Sequence, residues 1–372
     1  MEAECRARGD GVLIDSRAVT RRRKGADMWL TRSRRVCGMW WIGAAVAVAA
    51  SGCASRMPDP SALRIRALET LSELAASPDA QTRANVVEAM QLAPERLERV
   101  VRAGLADENE GVRSVSAMVV GRRRLVSLLA EAKALLDDDS PHVWTSAVYA
   151  LARCGEPDER AMGNMVALML NSESPRLRSF IAVMLGDLGE PSAVGPLTDA
   201  ILNIPVRADP RQIRLMELQI AEAMFKLGNQ KQIEVIRAAL YPSQANDLEA
   251  TALAAQILGE IRDRASVGAL IGLTGTVQQN QLMPAEVRLA AAGSLAQLGH
   301  PQGSFIAREF SASDDPALRA QAAYVYGRTG QVENLSRLET LLSDPSPPVR
   351  VAAAAGILRI VGRPPATVVE GG

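Results

Sequence analysis

Side chains that could carry out catalysis are scarce in this chain of 372 residues. It has two histidines and four cysteines. His142 and His300 lie at the start and just past the end of predicted helices, where turn and capping roles suit them best. No G-x-S-x-G, Walker, G-x-G-x-x-G or C-x-x-C motif occurs. We therefore predict no enzymatic activity, no catalytic or metal-binding residue and no cofactor.

Two charge clusters in the body of the chain could contact a ligand. Arg122, Arg123 and Arg124 follow one another directly. They are interpreted either as an anion or phosphate contact, or as a solvated helix junction facing Asp107, Glu108 and Glu110. The acidic run 137–139 lacks the alternating oxygen spacing and the glycine of a calcium loop, so helix capping explains it better.

The overall composition excludes several classes of protein. Hydrophobic residues make up 48% of the chain and aromatic residues only 3%, so the chain is too apolar for disorder and poor in aromatic core residues. The formal net charge is zero, although residues 1–36 carry ten basic and five acidic side chains. The remaining chain is therefore mildly acidic, and we expect no nucleic-acid binding.

A short apolar run near the start predicts export. Residues 36–50 contain no charge and follow Arg32, Arg34 and Arg35. Fifteen residues are too few for a typical membrane-spanning helix, which needs about 20, but they suit the apolar centre of a secretory signal. Such a signal can be cleaved in the ordinary way, can stay uncleaved as an anchor, or can be cleaved before a cysteine that becomes lipidated.

The residues after this run, Ala50-Ser51-Gly52-Cys53, resemble the lipobox of bacterial lipoproteins. The resemblance implies that Cys53 carries lipid and becomes the mature N-terminus. Ala54 is not the aspartate that retains such proteins in the inner membrane. The expected location is therefore the bacterial cell envelope, anchored in the outer membrane and facing the periplasm.

The proposed signal divides the start of the chain into segments. We interpret residues 28–52 as the signal peptide and residues 53–60 as the lipidated cysteine and its tether. Because Met28 begins a well-proportioned signal, residues 1–27 are interpreted as a mis-assigned start.

Most of the remaining chain is a repeat. Nine segments recur about every 33 residues, each with apolar residues at helical spacing, and most end in glycine. A second apolar helix fills each period. The anchor positions, usually an arginine after valine or leucine, are Arg83, Arg113, Trp144, Arg178, Glu217, Thr251, Arg288, Arg319 and Arg350. We predict an all-α protein, an α-solenoid of about nine helix pairs over residues 61–362 with a loose tail at 363–372.

The Val-Arg helix start and the Ala-Ala-x-x-Leu-Gly tail resemble those of the HEAT-repeat superfamily, in particular its phycobilisome-lyase-like members. The resemblance implies that the Val-Arg helices line the concave side and that Asp and Arg of adjacent repeats form a ladder. The full motif matches are Asp107 with Arg113 and Asp344 with Arg350. The ladder is interrupted where the anchor is not arginine, at Trp144, Glu217 and Thr251.

These features lead to a functional hypothesis. We expect a non-catalytic, lipid-anchored scaffold that binds a protein partner on its concave face, with Arg122, Arg123, Arg124 and Trp144 as candidate contacts. The alternative is a lyase-like subunit or chaperone that acts on a chromophore or modified protein. Residues 61–77 are expected to cover the first repeat, and the last repeat to end uncovered, which would permit a homo-oligomer contact.

Overall fold

The computed structural model describes residues 58–205, 207–275, 277–278 and 281–362. All of them belong to one compact unit, Ser55–Gly372. The proposed signal peptide, Cys53 and the tail 363–372 lie outside the described residues.

Within these residues, helices of two layers alternate along the chain. The outer helices are α1 (Pro60–Leu74), α3 (Pro94–Leu105), α5 (Leu129–Ala134), α7 (Glu159–Asn171), α9 (Val194–Leu202), α11 (Gln232–Ala238), α13 (Val267–Gly275), α15 (Gln302–Phe310) and α17 (Leu335–Leu341). The inner helices are α2 (Ala80–Met90), α4 (Glu110–Arg123), α6 (Pro141–Arg153), α8 (Pro175–Leu188), α10 (Pro210–Lys226), α12 (Leu248–Glu260), α14 (Ala285–Gln297), α16 (Pro316–Thr329) and α18 (Pro347–Val361). The predicted all-α solenoid is confirmed.

Short elements complete the connections. A small hairpin pairs β1 (Val277–Gln278) with β2 (Gln281–Leu282) in antiparallel register. Single 3-10 turns are found at Val126–Leu128, Leu135–Asp137, Pro191–Ala193, Ala245–Asp247, Arg264–Ser266 and Val332–Asn334. We call an inner helix and the outer helix after it a unit.

Local sequence signals set the helix ends. Asp79 caps α2 by accepting a hydrogen bond from the backbone N–H of Thr82 at 2.9 Å, and proline occupies the first turn of several inner helices. Left-handed glycines follow five inner helices, namely Gly155, Gly189, Gly228, Gly299 and Gly330. The same expectation for Gly362 is wrong, since its φ is −78°.

Asp107, Asp138 and Asp344 precede inner helices but do not cap them, so the capping interpretation of the run 137–139 is wrong; each binds an arginine of the preceding unit. Asp107 accepts two hydrogen bonds from Arg83 of the preceding unit, from Nε at 2.8 Å and from Nη2 at 2.7 Å. The cap itself is Asn109, two residues later. Asp344 and Arg319 form the same pair at 2.8 and 2.9 Å. The ladder thus joins each of Arg83, Arg113 and Arg319 to the aspartate 24 or 25 residues after it, because the loop that enters the next inner helix passes over the start of the previous one.

The ladder is interrupted at the predicted positions Trp144, Glu217 and Thr251, and also at Arg178, where the sequence predicts a rung. Arg178 is buried and donates to the backbone carbonyls of Ser172, Asn203 and Leu170, and its burial lowers its pKa. Arg237, on an outer helix, replaces the missing anchor by binding Asp263 at 2.8 and 2.7 Å.

The ladder predicts an acid-sensitive fold. Hydrogen bonds from Arg319 and Arg83 lower the pKa values of Asp344 and Asp107. Carboxylates with lowered pKa stabilise the fold above their unfolded value, about 3.9, and lose this contribution as pH falls through the folded pKa. We expect the free energy of unfolding to be level from about pH 7 to 5 and to fall below about pH 4.

A matched pair of variants checks this expectation by urea denaturation at pH 7 and pH 3. Asp344→Asn should cost about 3 kcal/mol at pH 7, because it leaves Arg319 without its partner, and should flatten the pH dependence. Glu95→Gln, which breaks an exposed pair with Arg64, should cost less than about 1 kcal/mol. Equal costs for the two variants would contradict the role of the ladder.

The inner helices form a closed ring in which the last packs against the first. Each inner helix packs against the next, and α18 packs against α2. Helix α1 packs mainly against α18 rather than α2, and so occupies the outer position of the ninth unit. Leu71 of α1 and Leu358 of α18 belong to one buried cluster. The expectation of an uncovered final repeat is therefore wrong, because the first helix of the unit covers it.

Polar contacts cross the same closure. Arg66 of α1 forms an ion pair with Glu339 of α17, and Arg350 Nη1 lies 3.4 Å from Glu73 Oε1 of α1. Arg350 is the last anchor of the ladder, so its partner comes from the first helix. The last unit is therefore covered on its outer side, and a homo-oligomer stays a prediction.

Inner helices approach one another in an alternating pattern. The closest pairs are α4 with α6, α8 with α10, α12 with α14, and α16 with α18. In each pair the first helix carries a glycine eight residues after its anchor, at Gly121, Gly186, Gly259 and Gly327. A Cβ placed on Gly327 would lie 2.5 Å from the Cα of Gly356. These seams thus depend on the absence of a side chain.

Candidate functional site

The last turns of the inner helices bring charged side chains together inside the ring. Nine residues after each anchor stand Leu92, Arg122, Arg153, Asp187, Lys226, Glu260, Gln297, Arg328 and Arg359. Arg122 Nη1 lies 3.1 Å from Glu88 Oε1 of the neighbouring α2. Lys226 Nζ lies 2.9 Å from Asp187 Oδ1 and 2.7 Å from the buried Glu222. One repeat position therefore forms a charged layer.

Glu260 lies in this layer and is influenced by charged groups of several inner helices. The surrounding protein disfavours its charged form and raises its pKa, and Glu222 adds to the shift by repulsion. Lys226, Arg328 and Arg122 act in the opposite direction. The charged groups that act on Glu260 therefore come from three other inner helices, α4 with Arg122, α10 with Glu222 and Lys226, and α16 with Arg328.

A groove of about 570 Å³ opens inside the ring between α2, α12, α14, α16 and α18, and we call it the inner groove. Its floor is made mainly of small side chains, among them Ala89, Ala290, Gly293, Ala320, Ala352 and Ala355. Its polar lining includes four carboxamides, namely Asn85, Gln256, Gln297 and Gln321. Such a surface can receive a chain-like ligand closely and offer it hydrogen bonds.

One side of the inner groove presents an aromatic ring and a cation together. Tyr324 is 42% exposed, and the guanidinium carbon of Arg328 lies 4.7 Å from the centre of its ring. The Nε of Arg328 is buried and has no acceptor in the described part of the chain. The ring holds the guanidinium in place while leaving hydrogen-bonding capacity unused.

A larger cavity, about 760 Å³, lies on the outer side among α1, α2, α3 and the start of α4. Its lining includes Arg83 and Asp107, which already bind each other. The other charged residues of the outer cavity, Glu95, Arg96 and Arg99, stand on the single outer helix α3, whereas the lining of the inner groove comes almost entirely from five inner helices. We therefore take the inner groove as the candidate site.

The structure separates the candidate contacts chosen from the sequence. Arg122 faces the charged layer, where Glu88 binds it. Arg123 donates to the backbone carbonyl of Gln91, and the exposed Arg124 ends α4 in a left-handed conformation. The run does not face acidic residues 107–110, because those precede or begin α4 whereas the arginines end it.

Trp144 lies away from this layer. It stands in the first turn of α6 (Pro141–Arg153), half-buried against the cluster that contains Met165. Arg122 is in the last turn of α4, so the two residues are at opposite ends of adjacent inner helices. The structure does not bring them into one site.

The residues that line the inner groove were not selected from the sequence. They include Tyr324, Glu260, Gln256 and Arg328. The register contains the signal, since in the five units that form the groove the residues five and nine positions after the anchor all belong to its lining. Aligning the nine units and examining these two columns would have found it.

Two properties of the described residues limit the chemistry. No group of three or more His, Cys, Asp or Glu side chains in this part of the chain is placed to hold a metal ion. Among the same residues, no helix combines the length and apolarity that crossing a bilayer requires.

Comparison with known proteins identifies the type of repeat in one part of the chain. Residues 277–359 match the family model of HEAT repeats. No curated protein matches the sequence. Human deoxyhypusine hydroxylase in complex with glycerol is 19% identical, with a TM-score of 0.37, over 74% of this chain and 98% of that chain. The complex of CpcE and CpcF of phycocyanin lyase from Nostoc sp. PCC7120 is 16% identical, with a TM-score of 0.35, over 69% and 92%. The chain thus contains HEAT repeats over residues 277–359, within an all-α solenoid of paired helices.

Proposed function

We propose that this protein is a non-catalytic scaffold that binds a segment of a partner protein in the inner groove and is anchored by lipid on Cys53 at the bacterial cell envelope. The observation that carries the binding role is the inner groove itself. It combines a floor of small residues, an exposed Tyr324 and polar groups without internal partners. Interfaces use such aromatic anchors beside small or apolar surface.

Site-specific photo-crosslinking in the source cells tests the binding role. A photoreactive residue at Ala352, on the floor of the inner groove, should give a discrete adduct with a partner protein. The same residue at the exposed Lys133, on outer helix α5, is the control. The adduct at Ala352 should disappear when Tyr324→Ala is added. Equal adducts at both positions, or none at Ala352, would contradict the proposal.

The anchor is supported by the lipobox-like residues before Cys53 and is expected to place the protein in the outer membrane, facing the periplasm. Cys53→Ser should move the protein from the membrane to the soluble fraction, because a sulfur-linked lipid can no longer form. Cell fractionation and immunoblotting measure this, with Cys154→Ser as the matched control. Unchanged membrane retention of Cys53→Ser would exclude the lipid anchor.

A further inference from the structure

We infer that the inner groove binds its partner as an extended polypeptide segment and that an acidic side chain of this segment pairs with Arg328. The inference rests on the proposed function and adds the conformation and charge of the bound segment. Three features of the groove carry it: its carboxamides, its floor and the unused capacity of Arg328.

The carboxamides favour recognition of a main chain. Gln256, Gln297 and Gln321 make no side-chain hydrogen bond within the described part of the chain, while Asn85 accepts one from Gln81 at 3.0 Å. A carboxamide both donates and accepts, as a peptide group does. In a bound helix the backbone groups are already paired, whereas in an extended segment they are free. Four carboxamides in one groove therefore suit an extended segment.

The floor allows the approach that such bonds need. Ala290, Gly293, Ala320, Ala352 and Ala355 come from three consecutive inner helices, α14, α16 and α18. Their short side chains let a backbone come close to the helices, so that the longer carboxamides can reach it from the sides. Larger side chains on the floor would hold the backbone of a bound segment too far from the helices for the carboxamides to form hydrogen bonds with it.

Arg328 supplies the charge selectivity. The Arg328 side chain makes no hydrogen bond or ion pair within the described part of the chain, and its guanidinium carbon lies 4.7 Å from the centre of the Tyr324 ring, which holds the group in place. A carboxylate can accept two parallel hydrogen bonds from a guanidinium fixed in this way. Glu260 lines the same groove from α12 and repels a second acidic residue there. The groove therefore complements a segment with one carboxylate near α16 rather than a uniformly acidic one.

Selection from a displayed library of random twelve-residue peptides tests the inference, using the full-length protein in detergent. We expect enrichment of Asp or Glu at one position. By fluorescence anisotropy, Arg328→Gln should weaken the enriched peptides about 10-fold or more, as expected for a charged hydrogen bond. Arg308→Gln is the matched control, because Arg308 also lies over an aromatic ring, that of Phe305 at 5.8 Å, but on outer helix α15.

Two further measurements distinguish the Arg328 ion pair and the backbone hydrogen bonds from nonspecific binding of peptides. Replacing the acidic peptide residue by its amide should cause the same loss as Arg328→Gln, and combining the two changes should cause little additional loss. Methylation of single backbone nitrogens of the peptide should weaken binding about 10-fold at one or more positions. Gln321→Leu should remove the effect at the position that it contacts.

Other results would overturn the inference. Enriched peptides with apolar residues at helical spacing and no sensitivity to N-methylation would assign the groove to a helix. A 10-fold gain in peptide affinity on removing residues 363–372 would assign it to the chain's own tail, and dimer formation that displaces the peptides would assign it to a second copy. If photo-crosslinking at Ala352 succeeds and the peptide results fail, only the extended, acidic segment is excluded; a failure of crosslinking alone excludes the scaffold role.

Discussion

Replacing Leu71 by alanine is expected to destabilise both ends of the repeat at once. Leu71 lies in the first helix, α1, and is fully buried in the cluster that also contains Leu358 of the last helix, α18. Removing most of its side chain should cost about 2–5 kcal/mol, because the cavity can only partly collapse. Because α1 packs mainly against α18, the lost packing should destabilise the ninth unit as well as the start of the chain.

Hydrogen exchange with mass spectrometry, together with urea denaturation, measures the effect. Exchange should increase in α1 and α18 together, while α8, on the far side of the ring, changes little. Ile65→Ala on the same helix is the control, since Ile65 is 56% exposed and its loss should change stability by less than about 0.5 kcal/mol. An increase confined to α1, α2 and α3 would mean that the solenoid is open.

Gly327→Val is expected to disrupt the closest seam of the ring. A Cβ at this position would meet the Cα of Gly356 at 2.5 Å, and backbone cannot move aside as a flexible side chain can. The two helices must separate, so the cost should reach about 3 kcal/mol, the upper part of the usual range for overpacking. Separation should also move Tyr324 and Arg328 relative to α18 and weaken binding in the inner groove.

Thermal and urea unfolding of the purified variant measure the cost. Gly163→Ala is the matched control, because Gly163 lies inside outer helix α7 with nothing within 4 Å of its Cβ position. This control should stabilise the protein by about 0.5–1 kcal/mol through helix propensity. A neutral Gly327→Val would mean that the α16–α18 seam is looser than the structure has it.

Much of the fold could be predicted because its signals are local and repeated. The period of about 33 residues, the proline and aspartate helix starts and the terminal glycines each act within one turn or one loop. Each of these signals is weak in a single unit, but together they predict the helix pairs because the same pattern recurs in nine units. The interruptions of the ladder at Trp144, Glu217 and Thr251 were also visible, since they follow from the residue type at each anchor. The interruption at Arg178 was not, because that anchor is an arginine and its burial decides its partners.

The errors concerned contacts between units. Asp107 stands where a helix cap is expected, but its partner is Arg83, 24 residues earlier, and the choice between the two depends on how adjacent loops overlap. The run at Arg122 looked like one surface, yet its members face three different environments. Gly121, Gly186, Gly259 and Gly327 occupy equivalent positions, but only the packed helices show that alternate seams are close.

The sequence by itself determined the helix pairs, their number and their register, because these depend on hydrophobic period and capping within each unit. It also carries the lipobox-like segment before Cys53, on which the anchoring proposal rests. Only the tertiary structure decided that the nine units close into a ring and that the first helix completes the last unit. Closure depends on the sum of small rotations between neighbours, set by side-chain volumes at every seam, and no single repeat contains that sum. The inner groove follows from closure, since it joins α2 near the start of the chain to α18 at its end.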